Sequence, residues 1–188
     1  MINKFKALLC FAVLLITADL TAEGPFYTYV GGFTAGGMNR ISYSDWIDNE
    51  TRTNDVTGYN VRAGVLAVIF VNFFAGEFGL SGSFNMNSME ETQVHSADWY
   101  GLFKYVFKFN DSFSLTTGPG IYMETLPASR QYDGGGLQYS LGSCFSVTSD
   151  WNIETDLFFR YGYFGIGEDS TKMNYGIQVS VTRKVGNL

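Results

Sequence analysis

The sequence predicts an all-β fold: an eight-stranded antiparallel up-and-down transmembrane β-barrel. Three observations carry this reading. From Tyr59 to Val181, apolar and aromatic residues alternate with small or polar ones, the period of two that places successive side chains on opposite faces of a strand. Each alternating segment is about a dozen residues long, whereas strands of soluble domains average about five or six and tilted bilayer-crossing strands need about 9–11. The connections alternate between short and long, as in bacterial barrels with short periplasmic turns and longer outer loops.

The elements follow in order. Strand one, about Pro25–Met38, sets Tyr27, Tyr29, Phe33 and Ala35 on one face and Thr28, Gly32 and Thr34 on the other. Strand two, Val56–Phe70, alternates Tyr59, Val61, Ala63, Val65, Ala67 and Ile69 with Gly58, Asn60, Arg62 and Gly64. Strand three, Phe74–Met86, sets Phe78, Leu80 and Phe84 against Glu77, Gly79, Ser81 and Ser83. Strand four, Ala97–Phe107, sets Trp99, Phe103 and Tyr105 against Asp98, Tyr100 and Lys104. Strand five, Phe113–Glu124, sets Leu115, Ile121 and Met123 against Thr116, Gly118, Tyr122 and Glu124. Strand six, Gly136–Val147, sets Leu137, Tyr139, Leu141 and Phe145 against Gln138, Ser140, Gly142 and Cys144. Strand seven, Asn152–Phe164, sets Ile153, Leu157, Phe159 and Tyr161 against Glu154, Asp156, Phe158 and Arg160. Strand eight, Met173–Arg183, sets Tyr175, Ile177, Val179 and Val181 against Asn174, Gly176, Gln178 and Ser180. The long connections are expected near Asn39–Asp55, Asn87–Ser96, Thr125–Gly135 and Gly165–Lys172.

Alternation alone does not say which face is inside, and a soluble lipocalin-like barrel alternates with its apolar side inward. Three features favour the membrane assignment. The polar faces are rich in Gly, Ser and Thr, which suits a crowded narrow lumen. The apolar faces are nearly free of charge, and a Lys or Arg at the bilayer midplane costs about 2–4 kcal/mol. Aromatics gather near strand ends, with Tyr27, Phe70, Phe74, Phe107 and Phe113 towards one rim and Tyr59, Phe84, Trp99, Tyr163 and Tyr175 towards the other. Such girdles mark the two membrane interfaces.

Residues 1–22 read as a secretory signal peptide, and residues 23–188 as one outer-membrane barrel domain. Lys4 and Lys6 precede an apolar run over Ala7–Ile16, and small residues follow at Ala18, Thr21 and Ala22. That pattern is a cleavable export signal, cut after Ala22 or after Ala18. The 188-residue chain carries a formal net charge of −6, and an acidic chain lacks the Lys/Arg clusters that nucleic acid requires. Two cysteines are present. Cys10 lies in the signal, so Cys144 has no partner for an intrachain disulfide.

The segment Thr116-Thr117-Gly118-Pro119-Gly120-Ile121-Tyr122 and the run Asn174-Tyr175-Gly176-Ile177-Gln178-Val179-Ser180-Val181 resemble the fifth and last strands of small eight-stranded outer-membrane barrels. That group includes OmpX, OmpW and the OmpA transmembrane domain. The resemblance implies residence in the outer membrane of a diderm bacterium and contact with outer-membrane lipid. It also implies insertion by the barrel-assembly machinery, with Asn174, Gly176, Val179 and Val181 as the assembly signal. Such family members usually end on an aromatic residue, whereas this sequence runs on through Thr182 to Leu188.

Candidate chemistry centres on the charges of the polar faces: Arg62, Glu77, Lys104, Glu124, Glu154, Asp156 and Arg160. Inside a narrow barrel these need partners, because unpaired buried charge is costly. An ion-pair network filling the lumen is the expectation, and a polar conduit for protons or small solutes is the alternative. His95 beside Ser96 does not make a catalytic pair, since adjacent strand residues point to opposite faces, and no enzyme activity is expected. No metal site or cofactor is expected, because Asp45, Asp48, Glu50 and Asp55 lack a known cation-loop spacing. Ile41, Tyr43, Trp46 and Ile47 in the first outer loop are candidate contacts for a host protein or other extracellular ligand. Two roles remain open for a monomeric barrel of this kind: a surface-interaction or envelope-integrity protein, and an OmpW-like narrow channel for small hydrophobic molecules. A lipid A-modifying enzyme is a third reading and the weakest.

Overall fold

A computed structural model describes the backbone of residues 26–47, 50–87, 93–125, 134–164 and 170–187. The expected signal peptide lies outside these residues. Eight strands follow in chain order: β1 (Phe26–Ile47), β2 (Glu50–Val71), β3 (Phe74–Asn87), β4 (Gln93–Lys108), β5 (Phe113–Thr125), β6 (Gly134–Ser146), β7 (Trp151–Phe164) and β8 (Thr171–Asn187). Each pairs antiparallel with the next, and β8 pairs with β1 to close the barrel. Closure removes the edges that backbone polar groups could not satisfy in lipid.

The side-chain periodicity is inverted relative to a soluble domain. Val65, Phe103, Leu137, Leu141, Leu157 and Ile177 stand exposed on the outer surface, while Arg62, Lys104, Glu124, Asp156 and Arg160 are buried inside. A belt of exposed apolar side chains around a charged interior is stable only against hydrocarbon, so this is a transmembrane barrel. The short turns join β2 to β3, β4 to β5 and β6 to β7 at one end, where β1 starts and β8 finishes. In bacterial barrels that end faces the periplasm. Asn72 makes the β2–β3 turn with φ 53°, a left-handed conformation that Asn tolerates because its short polar side chain bonds locally.

Several sequence expectations change. The first long connection, expected over Asn39–Asp55, is mostly strand: β1 and β2 stay in register from Asn39↔Gly58 to Ile47↔Glu50. The pairing of β8 with β1 stops at Ser42↔Thr171, and that of β3 with β2 stops at Gly58↔Asn87. The outer ends of β1 and β2 therefore form a two-stranded ribbon that outreaches its neighbours. With no bilayer beside it, such a ribbon needs no continuous apolar face, so its sequence need not show the alternation that reveals strands.

Strand one also faces the opposite way from the other seven. Its apolar members Phe33 and Ala35 are buried inside, and the lipid side carries Val30, Gly32, Thr34, Gly36 and Met38. Phe33 meets Tyr100 edge-on at 5.7 Å and fills lumen volume that small polar residues would leave empty. Tyr27 and Phe70, expected in a lipid-facing girdle, instead line the inside of the periplasmic mouth together with Tyr29. Phe74, Phe107, Tyr59, Tyr163 and Tyr175 do lie on the outer surface near the rims.

Candidate functional site: the charged lumen

The interior holds two charged layers. The inner layer, nearer the periplasmic turns, is built around Lys104 of β4. Its Nζ lies 2.6 Å from Glu77 Oε2, 2.9 Å from Glu154 Oε1 and 3.0 Å from Asp156 Oδ2. Each carboxylate accepts a further hydrogen bond from a hydroxyl. Tyr100 donates to Glu77 at 2.7 Å, Thr116 to Glu154 at 2.8 Å and Ser140 to Asp156 at 2.6 Å. Gln178 donates through Nε2 to Tyr100 Oη at 2.9 Å and to Glu77 at 3.3 Å. Glycines make room for this layer. A methyl group on Gly79 would enter the Tyr100 ring, and one on Gly142 would meet the Asp156 carboxylate.

The outer layer is spread more widely. Arg160 donates to Asp98 Oδ2 at 3.1 Å and to Gln138 at 2.6 Å. Arg62 lies 3.8 Å from the same Asp98 oxygen and stacks over Phe158 with 4.3 Å from its guanidinium carbon to the ring centroid. Arg160 stands 4.8 Å over Tyr122, so both guanidinium groups use aromatic faces. Lys172 pairs with Glu124 at 2.5 Å, and Glu124 also accepts from Ser96 at 2.7 Å. Ser83 and Ser96 share a short hydrogen bond.

All seven charged residues expected in the lumen are inside it, and each is at most 5% exposed. Sequence reasoning left two members out. Asp98 stands on the polar face of strand four, two residues before Tyr100, and its alternation was the available signal. Lys172 lies just before the point where alternation becomes visible in strand eight, in a segment expected to be loop. Among the described residues, the inner layer sets one cation against three carboxylates. The outer layer sets Arg62, Arg160 and Lys172 against Asp98 and Glu124.

The other expected positions are distributed differently. Ile41 is buried on the inner side of β1, as Phe33, Ala35 and Asn39 are, so it is no surface contact. Tyr43, Trp46 and Ile47 lie on β1 and His95 on β4, with side chains outside the described residues. The side chains of Asp45, Asp48 and Glu50 also lie outside them. Asp55 accepts hydrogen bonds from Arg40 and Ser42, and this pairing, with the Arg40 bond as its first cause, holds the carboxyl below its usual pKa. Of the assembly-signal positions, Asn174 points into the lumen, Val179 and Val181 face outward, and Gly176 packs against the β1 backbone at Gly36.

Below the inner layer, a cavity of about 540 Å³ opens at the periplasmic end, lined among others by Tyr29, Phe70, Val106, Lys108, Cys144 and Asn152. The Cys144 thiol is buried in its wall.

This inside-out arrangement of a closed antiparallel barrel, with charge within and an apolar belt without, decides the fold type. The chain has the fold of the small outer-membrane β-barrels. Neisserial surface protein A is similar over 83% of this chain and 96% of its own, with a TM-score of 0.53 and 14% identity. The outer membrane protein OprG from Pseudomonas aeruginosa is similar over 86% of this chain and 96% of its own, with a TM-score of 0.53 and 13% identity. No family model matches the sequence, and no curated protein does. At this level of identity the likeness is one of fold alone.

Proposed function

We propose that this protein is a non-enzymatic integral barrel of the bacterial outer membrane, with a closed lumen and a function carried at the cell surface by its outer connections. The observation that carries the proposal is the pair of ion-paired layers across the interior. A conducting path would have to cross both layers, separating Lys104 from three carboxylates and Arg160 from Asp98. Breaking buried pairs of this kind costs about 3–5 kcal/mol. The β1–β2 ribbon supplies the complementary half of the argument. It is the part of the described structure that rises past its neighbouring strands, and its base is pinned by Arg40, Ser42 and Asp55.

An OmpW-like channel for small hydrophobic molecules would need a continuous apolar mouth at the outer rim. Among the described residues, the buried inward ones there include Asn39, Asn60, Gln138, Lys172 and Asn174, beside the apolar pair Ile41 and Val56. The larger apolar group, Phe33, Leu66, Val68, Leu102 and Phe158, lies deep in the lumen. The mouth therefore favours the surface-interaction or envelope-integrity role.

Two measurements test this reading. Refolded protein in a planar bilayer is expected to give no stable current steps, and a persistent open level would overturn the closed lumen. Replacing residues 43–54 by a two-residue turn is expected to leave the heat-modifiable gel mobility of a folded barrel intact. The same deletion should abolish a surface phenotype, either binding to host-cell material or resistance to detergent. An unchanged result in both assays would remove the ribbon from the function.

A further inference from the structure

We propose that the periplasmic cavity is a binding site for a sugar ring that carries an anionic group, a carboxylate or a phosphate, presented from the periplasm. This inference is independent of the surface role proposed above. The cavity measures about 540 Å³, inside the range of about 300–1,000 Å³ typical of small-ligand sites. Its deepest lining residues on β4 and β6, Val106 and Cys144, are 1% and 5% exposed, and Lys104 and Thr116 beyond them are each 1% exposed. A ligand entering between the turns therefore stops short of the inner layer, and the site is a pocket rather than a path.

The walls are divided by chemistry. Tyr29 of β1 and Phe70 of β2 supply an aromatic wall, edge to face with 5.4 Å between ring centroids. Ser114 of β5 and Ser146 of β6, with Ser112 in the turn before β5, supply a hydroxyl wall. In a closed ring of eight strands β1 and β2 stand opposite β5 and β6, so the two walls face each other. A sugar ring has the matching two-sided character. Its C–H face packs on the negative face of an aromatic ring, and its hydroxyls exchange hydrogen bonds with serine, which both donates and accepts.

Charge selects the anionic group. Lys108 of β4 and Lys184 of β8 line the cavity from another pair of opposite strands, and Asp111 is the one carboxylate in the lining. The mouth is thus positive in a chain of formal net charge −6. Deeper in the lumen, Arg62, Lys104, Arg160 and Lys172 each stand 2.5–3.8 Å from a carboxylate. Among the described residues, Lys108 and Lys184 have no such partner, and Lys184 rests 4.1 Å over the Tyr27 ring instead. An ammonium on a flexible stem meets a carboxylate or phosphate as a point charge. A purely apolar ligand would leave both ammonium groups and the serines unused, and a bare inorganic anion would leave the aromatic wall unused.

The test is an amide chemical-shift titration of the full barrel refolded in an amine-oxide detergent, whose headgroup holds neither sugar nor phosphate. The probes are N-acetylmuramic acid, the carboxylate sugar of cell-wall glycan, glucose-6-phosphate, a free sugar phosphate, and neutral N-acetylglucosamine. At least one anionic sugar is expected to shift Tyr29, Phe70, Ser114 and Ser146, on both walls, and the neutral sugar to bind at least about tenfold more weakly. Lys108→Gln combined with Lys184→Gln should weaken the anionic sugar at least about tenfold. Arg183→Gln, outside the barrel beside Trp151, should leave it unchanged. Binding of muramic acid alone assigns the ligand to the cell wall, binding of the phosphate alone assigns it to free sugar phosphates, and binding of both establishes the shared chemistry. Equal affinity for the neutral sugar, shifts confined to the two lysines, affinity retained in the double variant, an equal loss in Arg183→Gln, or no shift at about 10 mM sugar would each overturn the proposal. Should the double variant fail to fold, the wild-type comparison of anionic and neutral sugars decides by itself.

Discussion

The two charged layers of the lumen solve the same problem differently. In the inner layer, three carboxylates converge on one ammonium at 2.6–3.0 Å, and each also accepts a hydrogen bond from a hydroxyl. In the outer layer, two guanidinium groups share one oxygen of Asp98 at 3.1 and 3.8 Å and rest on aromatic rings. A compact ammonium serves as a hub for several acids. A planar guanidinium is less strongly hydrated and accepts an aromatic face in place of water. The inner layer is therefore held by one indispensable ion, and the outer layer by packing as much as by charge.

The sharpest way to break this comparison is Lys104→Met. Removing the hub leaves three buried carboxylates uncompensated, and a loss of about 3–5 kcal/mol is expected, read as the urea midpoint of folding into detergent micelles. A midpoint within error of wild type would show that the inner layer is not organised by Lys104. Next in size is Asp98→Asn, which removes the charge that both arginines share. About 2–3 kcal/mol is expected, below the lysine variant, because Gln138, Tyr122 and Phe158 still hold the guanidinium groups. Arg62→Met should cost under about 1 kcal/mol, or even stabilise. None of its side-chain nitrogens has a hydrogen bond in the described structure, and methionine keeps the contact with Phe158. A loss as large as that of Lys104→Met would mean the two layers are equivalent.

The smallest effect lies outside the bilayer. Asp55 has a depressed pKa because Arg40 and Ser42 donate to it. Its contribution to ordering the ribbon is complete above the ordinary aspartate range of about 3.9 and fades as the pH falls through the lower folded value. Amide exchange of Ser42 and Asp55 should rise on acidification below that range and stay flat in Asp55→Asn. The lumen should stay closed throughout.

The same two layers show how much was legible in the sequence. Alternation placed Arg62, Glu77, Lys104, Glu124, Glu154, Asp156 and Arg160 on polar faces, and the inside-out reading then put them in the lumen. It did not say which acid meets which base. Lys104 and Glu154 are fifty residues apart on strands that do not pair, and they meet because eight tilted strands fold into a tube narrow enough for side chains to reach across. Lys172 was hidden for a related reason: its segment shows no alternation, and only pairing with β1 and β7 makes it strand.

By itself the sequence determined the number of strands, the positions of the short turns and, for seven strands, the face that meets lipid. Each follows from a local contest between water and hydrocarbon over neighbouring residues. The tertiary structure decided the inverted facing of β1, the length of the β1–β2 ribbon, and the split of the interior into a carboxylate-rich inner layer and a guanidinium-rich outer one. These depend on volume and charge summed across the barrel. Phe33 turns inward because lumen space must be filled, and Lys104 becomes a hub because three acids from two other strands have no nearer cation.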